Sequence, residues 1–181
     1  MLELGCGFGD LGEMFRLIGA DITSVDARYT NIEEGKKRHP YINFICQDLD
    51  ANFDNLSQFD FVLDTGLLYH LTDHETHIKC LRKVLKDVLI LETKCIDTDT
   101  DYFLRHTDPD PTKAYDQSFS GFASTSSQSR IEKLLSNAGF DFEIQKTPLL
   151  NADFYRYDWE ISNTYNIGGE YRRLWICYPK S

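Results

Sequence analysis

Long apolar runs are missing from this sequence: no stretch approaches the ~20 consecutive apolar residues that a membrane-spanning helix needs. The basic start and extended apolar stretch of a secretory signal are missing too, since the chain opens MLELGCGFG. Both absences predict a soluble, cytoplasmic protein with no membrane partner. Cysteine pairing is also lacking. Cys6, Cys46, Cys80, Cys95 and Cys177 are odd in number and scattered, with no CxxC and too few neighbouring histidines to cage a metal, so they read as reduced, mostly buried thiols. No metal site is expected. Positive charge is scarce: 19 basic against 29 acidic residues leave a net charge of -10, which repels phosphate backbones where nucleic-acid binders depend on attraction. A nucleic-acid partner is therefore disfavoured. The 41% hydrophobic and 27% charged residues in a chain of 181 exclude collagen-like and disordered classes and suit a single domain over 1–181.

Strand-like and helix-like stretches alternate through the first half, the pattern of βαβ units on a largely parallel sheet. The spacing predicts a strand over 2–4, then a helix on which Leu11, Met14, Phe15 and Ile18 recur until Gly19 stops it. Strands are predicted over 21–26, 42–46, 59–64 and 88–91. Thr30 or Asn31 is the expected cap of a helix that Pro40 ends, and Thr72 or Asp73 that of a helix presenting Ile78, Leu81, Val84 and Leu85 on one face. A last helix over 127–138 meets Gly139, and strands over 140–145 and 174–178 close the chain. Two inserts break the rhythm, at about 97–126 and 147–169. Both are polar with interspersed aromatics, and loops of such length serve as lids or binding segments.

Glu3-Leu4-Gly5-Cys6-Gly7-Phe8-Gly9 places three alternating glycines between a strand and a helix, letting the backbone turn tightly and approach a ligand. The same stretch satisfies GxGxxG through Gly7, Gly9 and Gly12, so a dinucleotide site for an NAD-dependent oxidoreductase is an alternative, with Gly12 serving either ligand contact or helix packing. Asp26 ends the second predicted strand, where a carboxylate accepts from ribose hydroxyls in either fold. Glu3 suits a ligand with a cationic amino group better than a pyrophosphate, and Asp48 is placed to accept from an adenine amino group. Together these carboxylates describe adenosine joined to a positively charged amino acid.

The run ELGCGFG, the Asp of SVDA, the CQDL step and FDFVLDTGLLYHL together resemble class I S-adenosylmethionine-dependent methyltransferases over about 1–91. The resemblance implies an α/β fold: a Rossmann-like, doubly wound mixed sheet of seven strands, mostly parallel with the last antiparallel, and helices on both faces. It implies S-adenosyl-L-methionine as cofactor and S-adenosyl-L-homocysteine as product. Carried over by position, Gly5, Cys6, Gly7 and Gly9 form the methionine-side loop supported by Glu3. Asp26 and Ala27 flank the ribose, Asp48 and Leu49 the adenine, and Asp64, Thr65 and Gly66 the methionine end. GLLYHL is also similar to a segment of tRNA wobble-uridine carboxymethyl-transferring enzymes; the acidic balance disfavours tRNA and points to a small-molecule acceptor. The resemblance leads one to expect a helical segment ahead of the first strand. Its absence from these 181 residues is expected to reflect a truncated start, with cover from a partner chain, such as a second copy in a homodimer, or from the two inserts as the alternatives.

For methyl transfer the protein aligns a nucleophile and excludes water, and a base matters when the acceptor is a hydroxyl or protonated amine. His70, with Tyr69 before it, is the best-placed imidazole; capping or packing is its other reading. His74 and His77 lie three apart and are expected on a solvated helix face. Arg105, His106, Arg156, Arg172 and Arg173 are candidates for acceptor contacts, and Tyr102, Tyr115, Phe119, Tyr155, Tyr157 and Trp159 for core packing or a stacking wall. A methyltransferase-like module without turnover is the third reading.

Overall fold

A computed structural model describes residues 1–107 and 118–180. Strands β1 (Leu2–Leu4), β2 (Thr23–Asp26), β3 (Asn43–Cys46), β4 (Phe59–Thr65) and β5 (Leu85–Ile96) alternate with helices α1 (Asp10–Leu17), α2 (Tyr29–Arg38) and α3 (His74–Val84), as the apolar periodicity predicts. Beyond β5 come β6 (Phe103–Thr107), β7 (Phe122–Ser127), α4 (Gln128–Asn137), β8 (Phe140–Gln145) and β9 (Arg172–Pro179). The central sheet runs β3-β2-β1-β4-β5-β9-β8: the pairings from β3 through β5 are parallel, and β9 lies antiparallel to both β5 and β8. This is the expected seven-stranded arrangement, with the last strand reversed.

Alternation along the strands places helices on both faces. Leu2, Leu4, Val25 and Val62 enter one buried cluster with Ile78 and Leu81 of α3. Glu3, one residue out of phase, meets Gly12 of α1 on the other face, and Phe61 stacks on Phe15 of α1 at 5.8 Å. Because β1 leads toward β2 on one side and β4 lies on its other side, the sheet has its switch point at the C-terminal ends of β1 and β4, where open α/β sheets bind ligands.

Three expectations are corrected. First, β5 is longer than 88–91 and forks: Leu89–Lys94 pair with β9, while Cys95 and Ile96 pair parallel with Ser126 and Ser127 of β7. The insert at 97–126 is thus not wholly irregular, since β6 and β7 form an antiparallel hairpin. Tyr115 lies outside the described residues. Second, neither Thr30 nor Asn31 caps α2. Arg28 holds the cap position, and Asn31 is buried with its amide donating to Asp26 Oδ1 at 3.2 Å. Third, His74 and His77 are buried at 3% and 1% exposure rather than solvated. Asp73 caps α3 through Thr76 N–H at 3.0 Å and thereby fixes the phase that turns both imidazoles inward. Among the described residues, no helix is long and apolar enough to cross a membrane.

Candidate functional site

The β1–α1 turn is built on left-handed backbone at Gly5 and Gly7 (φ 67° and 55°), which leaves their amides free to turn toward neighbouring groups. Gly7 N–H donates to Asp26 Oδ2 at 2.9 Å, and the Oδ1 of the same carboxylate accepts from Arg28 N–H at 2.8 Å. One side chain at the end of β2 therefore anchors two turns. Burial raises its pKa, and the backbone donors oppose that shift.

Around this anchor lies a cavity of about 280 Å³. Gly5, Cys6, Gly7, Asp26 and Ala27 line it from β1 and β2, and Asp48, Leu49, Gly66, Tyr69 and His70 from the turns after β3 and β4. A Cβ added to Gly7 or Gly66 would meet nothing within 4 Å, so at both points the bare backbone faces open space. Burial pushes the Cys6 thiol up, which makes it an unreactive wall rather than a nucleophile. Four of the cofactor residues that the resemblance implies do not line the cavity. Thr65 ends β4 beside it. Gly9 caps α1, with space for its Cβ taken by the Phe44 ring at 2.6 Å. Asp64 is fully buried behind the wall, bonded to His77 Nε2 at 2.6 Å.

Glu3, the fourth, answers the dinucleotide question. Its carboxylate accepts from Gly12 N–H at 3.2 Å and Ser24 Oγ–H at 2.6 Å, placing a negative charge on one first-turn donor of α1, where it would repel a pyrophosphate. Gly12 is a packing glycine, because a Cβ there would lie 2.5 Å from Glu3 Oε2 and 3.0 Å from Ser24 Oγ. Gly12→Ala is accordingly expected to cost about 1–2 kcal/mol, overpacking outweighing the gain in helix propensity, read as a lower denaturant midpoint at constant slope.

A second layer is centred on Glu92, which sequence reasoning missed, and it takes in Arg172, expected to contact the acceptor. Glu92 of β5, a buried acid directly after the apolar run 88–91, accepts Gly66 N–H at 2.9 Å and Tyr157 Oη–H at 3.2 Å. Arg172 lies 3.5 Å from Glu92, donates to Tyr69 Oη at 3.4 Å and sits over the Tyr69 and Tyr155 rings at 4.7 and 4.4 Å. This buried pair holds both ends of the Gly66–His70 turn. Burial is the main cause raising the Tyr69 pKa, so its hydroxyl stays protonated at neutral pH. Arg173, fully buried, donates to the carbonyls of Tyr157 and Trp159 at 2.8 Å each and pins the segment before β9. It does not reach the cavity. Arg28, also missed, lines the cavity and donates to Ser118 O at 3.1 Å across its mouth. No periodicity marks it.

Residues 1–88 match a family described as a methyltransferase domain. Ubiquinone biosynthesis O-methyltransferases are similar over a stretch of comparable length: that of Bradyrhizobium sp. (strain ORS 278) is 34% identical over 90 residues, 48% of this chain and 35% of that protein. The one from Coxiella burnetii (strain RSA 493 / Nine Mile phase I) is 31% identical, covering 48% and 38%. The chain thus spans little more than a third of the length of these curated relatives. Among solved structures, the N-terminal domain of EvdMO1 with SAH bound superposes with TM-score 0.74 at 20% identity, over 99% of this chain and 74% of that one. An S-adenosylmethionine-dependent methyltransferase from Mesorhizobium loti gives 0.66 at 16%, over 98% and 89%. Residues 1–88 thus resemble a methyltransferase domain in sequence, and the chain as a whole shares the fold of these solved structures.

Proposed function

We propose that this chain binds S-adenosylmethionine and directs its methyl group to a small-molecule acceptor. The observation that carries this reading is the cavity at the sheet's switch point: a glycine turn tied to the Asp26 carboxylate, a second carboxylate at Asp48, and bare backbone facing open space at Gly7 and Gly66. These residues fit the cofactor. Asp26 has accepting capacity beyond its present donors for ribose hydroxyls, Asp48 beside Leu49 suits the adenine edge, and Gly5 to Gly7 with Gly66 suit the methionine end. Glu3 and Gly9 support the loop from behind, and Asp64 and Thr65 hold the end of β4. When bound, S-adenosylmethionine supplies a methyl group already activated on a sulfonium.

The chain's own task is then to orient the acceptor, exclude water and take up a proton. His70, at the cavity wall and stacked on Tyr69 with ring centroids 4.2 Å apart, is the proposed base for a hydroxyl acceptor. Tyr69, whose hydroxyl accepts from Arg172, holds the ring against which His70 packs. The net charge of -10 and the O-methyltransferase relatives support a small molecule over a nucleic acid.

Calorimetry with S-adenosylhomocysteine tests the cofactor reading, and no binding to folded protein overturns it. Asp26→Ala is expected to weaken that binding about 30- to 100-fold, because the variant loses both a ribose acceptor and the anchor of the glycine turn. His70→Ala should leave the affinity within about twofold and lower turnover about a hundredfold, measured by homocysteine release on an acceptor found by screening. Equal loss of both quantities would assign His70 a structural role.

A further inference from the structure

A second, larger cavity of about 690 Å³ adjoins the first, and Asp50 and Ser120 line both. The wall is continuous in sequence as well: His70 and Leu71 face the first cavity and Thr72 the second. Its far side is the β6–β7 hairpin, contributing Arg105, His106 and Phe122. Three features describe what it would take. Phe122 is exposed, offering an aromatic edge to a flat apolar body. Arg105 is exposed beside the Phe103 ring, 5.7 Å from its centroid, and among the described residues it has no ion-pair partner, so its charge is available to an anion. The Asp50 carboxylate, which also lines the cleft, accepts from Thr72 N–H and Oγ1–H at 2.7 Å each and from Asp73 N–H at 3.1 Å, and these three donors offset part of its charge.

From these positions we infer that the hairpin cleft is the acceptor site, selecting a small molecule that carries an anionic group on a flat, apolar, ring-like body. The inference rests on the proposed methyl transfer and adds the acceptor's chemical class. Arg105 holds the anion, Phe122 packs on the ring, and the opposite end of the acceptor points along Thr72 toward His70.

Benzoate and benzamide, nearly identical in shape and different in charge, serve as probes. Each is titrated by amide chemical shifts into protein saturated with S-adenosylhomocysteine. Benzoate is expected to shift the amides of Thr72, Arg105 and Phe122 and to bind about fivefold tighter than benzamide, the size of a partly exposed ionic contact. Arg105→Gln should abolish that preference and Arg105→Lys restore most of it. Equal affinity of the two probes, a preference that survives Arg105→Gln, or shifts confined to other surfaces would overturn the inference. S-adenosylhomocysteine affinity is read separately in the same samples. Its absence would overturn the proposed cofactor, while the benzoate preference of the free protein would still decide the character of the cleft.

Discussion

His77→Leu is expected to lower the unfolding free energy by about 3–5 kcal/mol, measured by urea denaturation at neutral pH. His77 and Asp64 are both inaccessible to solvent, and their Nε2···Oδ2 separation is 2.6 Å. Asp64 Oδ1 already has no hydrogen-bond partner, so removing the imidazole strips the carboxyl group of its remaining one in a site water does not reach. The other ring nitrogen, Nδ1, lies 3.2 Å from Leu49 O on the cavity wall, which ties α3 to the turn after β3. A simple loss of imidazole volume would cost less, because leucine refills most of the space. The double variant Asp64→Val/His77→Leu separates the two effects: with no polar group left to desolvate, it should regain at least half of the loss. If it is instead as unstable as the sum of the single variants, the pair carries no coupling and packing alone explains the cost.

The inward setting of His77 follows from spacing that is visible in the sequence. His74 and His77 stand four residues before Ile78 and Leu81, so the periodicity that puts the leucine and isoleucine in the core puts the imidazoles there too. A residue-type habit, in which polar side chains are assigned to solvent, hid what the phase already stated. The βαβ half was legible for the opposite reason, since Leu2, Leu4, Val25, Val62 and Leu89 declare buried strands by hydrophobicity alone. Strand β7 could not be read that way. Its sequence, FASTSS, carries almost no apolar signal, yet Ser124, Thr125, Ser126 and Ser127 are fully buried. Ser124 donates to Leu71 O at 2.5 Å, and both serine hydroxyls at 124 and 126 meet His74. Burial there is secured by hydrogen bonds between residues about 50 apart, and no local pattern encodes such a partner.

The same holds for the segment before β9. Asp97, at the end of β5, accepts from Ser162 N–H at 2.7 Å and from the hydroxyls of Ser162 and Thr164, holding the carboxyl down to about 2 against the desolvation that burial imposes. That contact brings 151–169 against β5, where Tyr157 reaches Glu92 and Arg173 reaches the carbonyls of Tyr157 and Trp159. The glycine turn and its carboxylates could be found because they are contiguous or end strands. The buried Glu92–Arg172 pair behind them joins residues 80 positions apart and becomes visible only once β5 and β9 are paired in register, with Lys94 opposite Arg172 and Glu92 opposite Leu174.

Acid is expected to weaken the fold through His74. Burial is the main cause holding its pKa down to about 3, with the charges of His77 and Arg130 adding to it and backbone contacts at Leu68 and Ser124 opposing it. Above the ordinary histidine value of 6.5 the ring is neutral folded or unfolded, so it adds no pH dependence there. Below 6.5 the unfolded chain takes up a proton that the folded one refuses, and stability falls by about 1.4 kcal/mol per pH unit until the folded pKa is reached. Glu3, Asp26 and Glu92, whose carboxyl pKa values are raised by burial, act in the opposite sense as pH falls. The measurement is therefore a difference. Between pH 7 and 4.5, the unfolding free energy of the wild type should fall by about 3 kcal/mol more than that of His74→Gln. A pH-independent difference would mean that the ring protonates in the folded state as readily as in the unfolded one. The location of the effect is also fixed by the contacts: Nδ1 meets Ser126 at 2.9 Å and Nε2 meets Ser124 at 3.0 Å, so His74 joins α3 to β7. Amide exchange in β6 and β7 should accelerate at acid pH before exchange in β1 and β4 does, and the hairpin carrying Arg105 would be the first element to part from the sheet.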